Sequence, residues 1–349
     1  MRRRGFLAAS VATTASLAGC RSYFETRAAR SPPLVEDRPD AVYVPSHVEG
    51  MEMVAAKTAG DSRVALTYSF PHRFWPVNGG RRNEVDIRDG DSVHLMVTVW
   101  DPETGTVVPN SSVSATITRG GDRVGKKRLW PMLSQNMGIH AGDNFALDGD
   151  GTYEVDLEVG AIQARTTGAF RDQFSAARAA FTLEFERATL DEISFERLPD
   201  RQGNQGAVRP MEMGKLPVAS APDPDALPGR TLGTPTTGDA VLATTTLDSP
   251  PAGVEGEAYL AVSMRTRYNS YPLPFTSLSA TATRDGETRF AGTLQPTFDP
   301  DLGYHYGAAV PPVEAGDDLT LSVDVPPQIA RHEGYETAFF EFDDVSLTA

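Results

Sequence analysis

Apolar and polar residues alternate with a period of two along several short stretches of the chain, which is the pattern of half-buried β-strands. The clearest stretches are residues 94–100, 113–118, 153–159 and 319–325. Turns rich in glycine and aspartate separate them, such as residues 148–151, where the spacing does not match a calcium loop. Short strands joined by such turns predict an all-β protein built as an antiparallel β-sandwich.

One segment departs from the strand pattern. Residues 169–185 are rich in alanine, which predicts a short helix or an insertion at this point.

The chain contains an internal repeat. Residues 94–140 align with residues 259–305 without a gap, and 14 of the 47 positions are identical. The alignment brings His140 into register with His305. It predicts two tandem β-sandwiches, at residues 45–195 and 237–349, joined by a proline-rich linker at residues 196–236 that packs partly along the second copy.

The first twenty residues have the order of an export signal, with Arg2-Arg3-Arg4, a short apolar stretch and then Leu17-Ala18-Gly19-Cys20. The paired arginines resemble a twin-arginine signal, and the last four residues resemble a lipobox, at which a lipoprotein is cleaved and its cysteine lipidated. A membrane-spanning anchor is the alternative, but the apolar stretch is too short for it. We therefore expect a membrane-anchored lipoprotein, held to lipid through Cys20, with residues 21–44 as a stalk.

The composition excludes several kinds of partner and site. The chain has 47 acidic and 32 basic residues and a formal net charge of -15, which argues against nucleic acid as a partner. The scarcity of lysine resembles the surface of a halophilic, haloarchaeal protein, although ordinary solubility also accounts for the charge. Cys20 is the only cysteine in the sequence, so a disulfide within the chain and a thiolate metal site are excluded.

Two motifs carry a family resemblance. Trp130-Pro131-Met132, followed by His140-Ala141-Gly142, resembles the periplasmic Fe(II)-transport proteins, and so does the second-copy series of His305-Tyr306-Gly307, Pro326-Pro327 and His332. The resemblance implies immunoglobulin-like sandwiches, a bound iron or copper ion and delivery of that ion to a membrane permease. We do not expect this protein to be an enzyme.

The resemblance also implies a ligand set for each copy. In the first copy the family's methionine and loop histidine fall on Met132 and His140, but its later histidine falls on Thr166. In the second copy the histidines fall on His305 and His332, whereas the methionine position is Thr297. The family's carboxylate, in a His-Leu-Glu pattern, falls on Met96 in the first copy and on Ala261 in the second.

The chemistry of these donors differs between the copies. Thioethers of Met96, Met132 and Met137 with the His140 imidazole would suit Cu(I), whereas the histidines of the second copy, with Tyr304 or Tyr306, would suit a borderline divalent ion. Met96 could equally fill the core, and the loop histidines could be bonded to backbone.

Several alternatives stay open at this point. Residues 71–75, which include His72, form either a rim of the site or a surface hairpin, and His47, Met51 and Met53 either reach the site or belong to a plain strand. Each copy has half a site, so two chains could pair as a homodimer to complete one. The competing function is a cell-surface structural or protein-interaction module that has lost metal binding.

Overall fold

Alternating burial explains why the chain folds into strands. Along residues 153–159 every second side chain, from Tyr153 to Val159, is buried, and the residues between them are exposed. A computed structural model describes residues 31–214 and 216–349, and in this part of the chain strands make up almost all regular structure.

The first half contains thirteen strands and one short helix among the described residues. They are β1 (His47–Glu49), β2 (Glu52–Ala59), β3 (Ser62–Ser69), β4 (Val77–Asn78), β5 (Arg81–Arg82), β6 (Val93–Trp100), β7 (Ser111–Arg119), β8 (Asp122–Ser134), β9 (Gly138–Phe145), β10 (Gly151–Ile162), β11 (Arg165–Thr166), β12 (Ala177–Phe185), α1 (Arg187–Glu192) and β13 (Phe195–Arg197). A single 3-10 turn spans Gly168–Phe170.

The second half contains ten strands in the described part. They are β14 (Arg230–Gly233), β15 (Thr236–Thr237), β16 (Ala240–Leu247), β17 (Ala258–Thr266), β18 (Ser277–Arg284), β19 (Glu287–Asp299), β20 (Gly303–Val310), β21 (Asp318–Val325), β22 (Ala330–Arg331) and β23 (Val345–Thr348). A 3-10 turn at Pro224–Ala226 precedes them.

The two halves have the same strand order. It is β12-β10-β7-β8-β9-β6-β3-β2 in the first half and β23-β21-β18-β19-β20-β17-β16-β14 in the second. The long strand β8 changes layer between Leu129, which pairs with Val113 of β7, and Trp130, which pairs with Gly142 of β9. Strand β19 makes the same change between β18 and β20. This confirms an all-β fold of two tandem antiparallel sandwiches.

The expected helix at residues 169–185 is wrong. After the 3-10 turn the chain is irregular up to residue 176, and it then forms strand β12, which pairs with β10 along its whole length. Ala179, Phe181, Leu183 and Phe185 are buried in the sandwich, while the residues between them face solvent. Burial of one face of a sheet outweighs the small helix preference of alanine.

The halves exchange short strands. Strand β22 of the second half pairs in parallel with β8 of the first, and β11 of the first pairs in parallel with β19 of the second. One continuous apolar core runs through both sandwiches, and residues 35–349 form one compact unit. The exchange therefore places residues of each half against the central strands of the other.

The segment between the sandwiches runs mostly without regular structure and contacts the second one. Val208, Leu216 and Ala219 of this segment are buried, and the side-chain amide of Asn269 in the second sandwich donates a hydrogen bond of 2.9 Å to the Val208 carbonyl. At the N-terminal side, residues 42–44 are also buried, and Tyr43 forms a bridge with Gln205. These residues belong to the folded unit.

The signal sequence and Cys20 lie outside the described residues. Within the part of the chain that the structure describes, no helix has both the length and the apolar character required to span a membrane.

Candidate metal centre

Three potential ligands lie on one face of the sheet formed by β6, β9 and β8. Met132 on β8 pairs directly with His140 on β9, and Asn144 and Gly142 of β9 pair with His94 and Met96 of β6. Side chains alternate across a strand, so residues two apart share a face and direct cross-strand partners lie side by side. This register brings His94, Met132 and His140 together.

A fourth side chain comes from the second half. The parallel pairing of β22 with β8 sets Ala330 beside Met132, and the chain continues so that the His332 amide donates to the Leu133 carbonyl at 3.0 Å. The His332 ring then lies over the site, with its Nε2 3.4 Å from Met132 Sδ.

The three histidines form a compact donor set. One ring nitrogen from each of His94, His140 and His332 lies within 4.8 Å of the others. Three nitrogens bonded to one ion at about 2.0 to 2.1 Å stand roughly 3.4 Å apart. Small side-chain movements are therefore enough to let the three rings bind one ion, with the thioether of Met132 as a fourth donor.

The second nitrogen of two rings is already held by the protein. His94 Nδ1 is 2.7 Å from the Asn144 amide oxygen, and His140 Nδ1 is 3.2 Å from the Gly138 carbonyl. Both acceptors require a proton on Nδ1, so Nε2 carries the lone pair. The Nε2 atoms of His94 and His140 are buried and have no hydrogen-bond partner. Such orphaned lone pairs are what an ion would satisfy.

Gly142 keeps the centre open. A Cβ atom at this position would lie 2.7 Å from His94 Nε2 and 3.2 Å from Met132 Sδ. The backbone of β9 passes so close to two candidate ligands that only glycine leaves their donor atoms room.

Burial keeps the imidazoles neutral. It lowers the pKa of His94 to about 3 and that of His140 to about 4, and it lowers the pKa of His332 well below its usual value, with neighbouring histidines adding to the effect. Desolvation disfavours the charged ring. Neutral imidazole is the form that binds metal ions, so protons do not compete for these nitrogens near neutral pH.

His72 and Glu49 stand at the edge of this centre. The His72 ring is 4.8 Å from that of His94 and 5.4 Å from that of His332, measured between centroids. Its Nδ1 is 3.4 Å from a carboxylate oxygen of Glu49, and 18% of its side chain is exposed. Residues 71–75 thus form a rim of the site. Phe74, buried in the same segment, packs with Met132 and Ala330.

The other ligands expected from the sequence are Met96, Met137 and His305, and they do not belong to the three-histidine donor set. Met96 is buried opposite Gly142, two residues from His94. Met137 is buried at the turn between β8 and β9. His305 does not share a site with His332. It lies in the second sandwich, where its Nε2 is 3.0 Å from the Tyr259 hydroxyl and its Nδ1 is 3.1 Å from the Gly303 carbonyl.

The equivalent position in the second sandwich holds a guanidinium instead of metal ligands. Thr297 pairs with His305 as Met132 pairs with His140, and Tyr259 takes the place of His94. Arg165, on the exchanged strand β11, donates hydrogen bonds of 2.9 Å to both the Tyr259 and Thr297 hydroxyls. A cationic side chain thus occupies the region where the first half gathers its neutral ligands.

The pairing of the exchanged strands also corrects the expected match between Thr166 and His332. Strand β11 sets Arg165 beside Thr297 as β22 sets Ala330 beside Met132. The backbone amide of Thr167 then donates a hydrogen bond of 3.1 Å to the Phe298 carbonyl, just as the backbone amide of His332 donates one to the Leu133 carbonyl. Thr167, rather than Thr166, therefore matches His332, and its hydroxyl donates to Asp299 at 2.7 Å.

Comparison with known proteins supports the resemblance for the first half. Residues 85–190 match the family model of the Fe2+ transport proteins. This part of the chain is therefore similar to that family. Residues 225–348 match a model described as a domain of unknown function.

Solved structures and curated proteins add less. Two structures of FetP from uropathogenic Escherichia coli are similar to part of the chain. The as-isolated protein shares 14% identity over 40% of this chain and 96% of its own, with a TM-score of 0.28. A copper-bound variant shares 15% over 39% and 92%, with a TM-score of 0.30. No curated protein matches the chain.

Sequence reasoning missed His94 as a ligand and missed the sharing of one site by both halves. A signal for His94 was present, because it lies two residues before Met96 on an alternating strand and therefore shares its face. The position of His332 had no such signal, since it depends on the packing of the two sandwiches.

Proposed function

We propose that this protein binds one transition-metal ion at His94, Met132, His140 and His332 and delivers it to a membrane permease. The observation that supports binding most directly is the pair of buried, unpartnered Nε2 atoms of His94 and His140 beside the Met132 thioether. Burying polar atoms without partners is costly, and an ion would remove that cost.

Copper fits this donor set better than iron. Imidazole suits copper, iron, zinc and nickel, but a thioether is a soft ligand that favours Cu(I). The ion would be cargo rather than a resident cofactor. The family match over residues 85–190 supports a role in metal transport, and Fe(II) is the alternative ion.

The second sandwich supports this function by supplying His332. Its own equivalent site carries Arg165, so we propose that one chain holds one such ion and completes the centre without a second copy. The lipobox ending at Cys20 supports an extracytoplasmic location on a lipid anchor.

Metal analysis of the protein purified without chelator, followed by titration with Cu(I) and with Fe(II), tests the proposal. We expect one equivalent of copper to bind tightly at this centre. His140→Ala should weaken that binding by at least about 10 to 100-fold, since even outer-shell changes have effects of this size. His305→Ala is the matched control and should leave binding intact. Failure of the wild-type protein to bind either ion would contradict the proposal and favour the interaction module.

A further inference from the structure

A second set of thioethers lies outside the centre described above. An open cavity of about 450 Å³ is lined by four of the nine methionines in the chain, Met51, Met53, Met211 and Met213. None of the four belongs to the His94 centre. Met53 is 38% exposed, and the other three are partly exposed. Thioethers at the wall of an open cavity are accessible to an ion from solvent.

The methionines come from two identical tripeptides, Met-Glu-Met, at residues 51–53 and 211–213. Asn136 holds both in place. Its carbonyl accepts a hydrogen bond of 2.8 Å from the Met211 amide, and its side-chain amide donates one of 2.6 Å to the Glu49 carbonyl, two residues before Met51. Since Asn136 lies in the turn between β8 and β9, the turn that precedes His140 also aligns the two tripeptides.

Two polar side chains, Glu49 and His72, lie between the cavity and the metal centre. Glu49 lines the cavity, and its carboxylate lies 3.4 Å from His72 Nδ1. The His72 ring in turn lies beside those of His94 and His332. A series of donors therefore leads from the thioethers of the cavity, through a carboxylate and an imidazole, to the buried histidines.

The donors along this route change in character. Thioethers bind Cu(I) and bind hard ions poorly, so a site of methionines selects reduced copper. Acidic side chains add attraction for a cation, because Glu49, Glu196 and Glu212 also line the cavity. The buried centre adds three imidazoles, which are stronger donors than thioethers, so transfer inward is favourable.

We propose that the cavity lined by Met51, Met53, Met211 and Met213 is a second Cu(I) site that captures the ion from solvent and passes it to the His94 centre by way of Glu49 and His72. The transfer is ligand exchange. Each thioether leaves as a carboxylate or imidazole binds, copper stays in the +1 state, and no electron or external reagent is needed. The capture site stands alone, whereas the transfer rests on the proposed function.

Cu(I) titration in competition with a coloured chelator tests the capture site. The wild-type protein should bind two equivalents. A variant with Met51, Met53, Met211 and Met213 all changed to leucine, which roughly conserves volume, should bind one. Met264→Leu is the control, since Met264 is fully buried in the second sandwich, and it should still bind two.

A second variant separates this proposal from the proposed function. His140→Ala/His332→Ala should keep one equivalent of Cu(I), and X-ray absorption should show sulfur ligands around it. Loss of all Cu(I) binding in this variant would overturn the capture site, but it would not contradict the proposed function of the His94 centre in the wild-type protein. Two equivalents in the quadruple leucine variant would also overturn it.

Loading kinetics test the transfer. The rate at which the His94 centre takes Cu(I) from the chelator should fall at least tenfold in the quadruple leucine variant and in Glu49→Gln, with the final affinity of that centre little changed. An unchanged rate in both variants would overturn the transfer step.

Discussion

His332 Nε2 lies 3.4 Å from Met132 Sδ, although 200 positions separate the two residues. The contact depends on the parallel pairing of β22 with β8, which carries a strand of the second sandwich onto the first. The candidate centre therefore requires both sandwiches to fold and pack. A mutation that loosens their contact should weaken metal binding without touching a ligand.

Because His332 and Met132 lie side by side, we predict that substitutions of either residue lower the affinity for the same metal ion. His332→Ala and Met132→Leu should each weaken copper binding at the tight site, because both side chains belong to one donor set. We expect losses of at least about tenfold. Isothermal titration of each variant checks this. If His332→Ala reduced only the binding of a divalent ion and Met132→Leu only that of Cu(I), two separate sites would be indicated.

Gly142→Ala should lower metal affinity while the sandwich stays folded. The new Cβ would lie 2.7 Å from His94 Nε2, so the ring must move away from the ion. Circular dichroism and copper titration measure the two effects separately. Gly292→Ala is the control, because its Cβ would come no closer than 3.4 Å to Phe290. Equal affinity in Gly142→Ala and wild type would contradict the predicted role of the glycine.

The second sandwich should gain a metal site when its four matching positions are changed. The missing ligands around His305 are supplied by Tyr259→His, Thr297→Met and Thr167→His. Arg165→Ala removes the guanidinium and leaves alanine, the residue that the first half has at the matching position, Ala330. One additional equivalent of copper should bind. The same triple variant with Arg165 retained is the control and should gain none, because the positive charge would repel the ion. Additional binding in that control would contradict the role of Arg165.

Acid should destabilise the metal-free protein partly through His305. Burial lowers its pKa from 6.5 to about 4, so between these values the unfolded chain binds more protons than the folded one. The free energy of unfolding then rises with pH over this window and falls as pH is lowered through it. His305 should account for a loss of about 2 kcal/mol between pH 7 and pH 5.

Urea unfolding at both pH values, with a chelator present, measures this loss. His305→Gln should lose about 2 kcal/mol less than wild type over the same range, since it has no titrating ring. Identical pH dependence in the two proteins would show that His305 does not stay neutral in the fold.

Cys20→Ala should release the protein from the membrane fraction, because the lipobox resemblance makes this cysteine the attachment point. Fractionation followed by immunoblotting measures the release. Retention of the variant in the membrane fraction would count against lipidation.

The sequence alone was enough for the fold class and for several candidate ligands. Alternation of apolar residues marks strands directly, and the match between residues 94–140 and 259–305 reveals two sandwiches, because both signals are local or depend on similarity. Met132, His140 and His332 were accessible in the same way, through motifs of a few residues. The conformation of the alanine-rich segment at 169–185 was not predicted correctly, because burial of one face of the strand in the tertiary structure decided it.

The assignment of ligands to one centre was decided only by tertiary structure. His332 belongs to the second repeat by sequence but to the first sandwich's site by contact, because two short parallel strands are exchanged between the halves. Arg165 closes the other site for the same reason. Such pairings depend on how two packed surfaces meet, and no periodicity along the chain encodes the distance between residues 132 and 332.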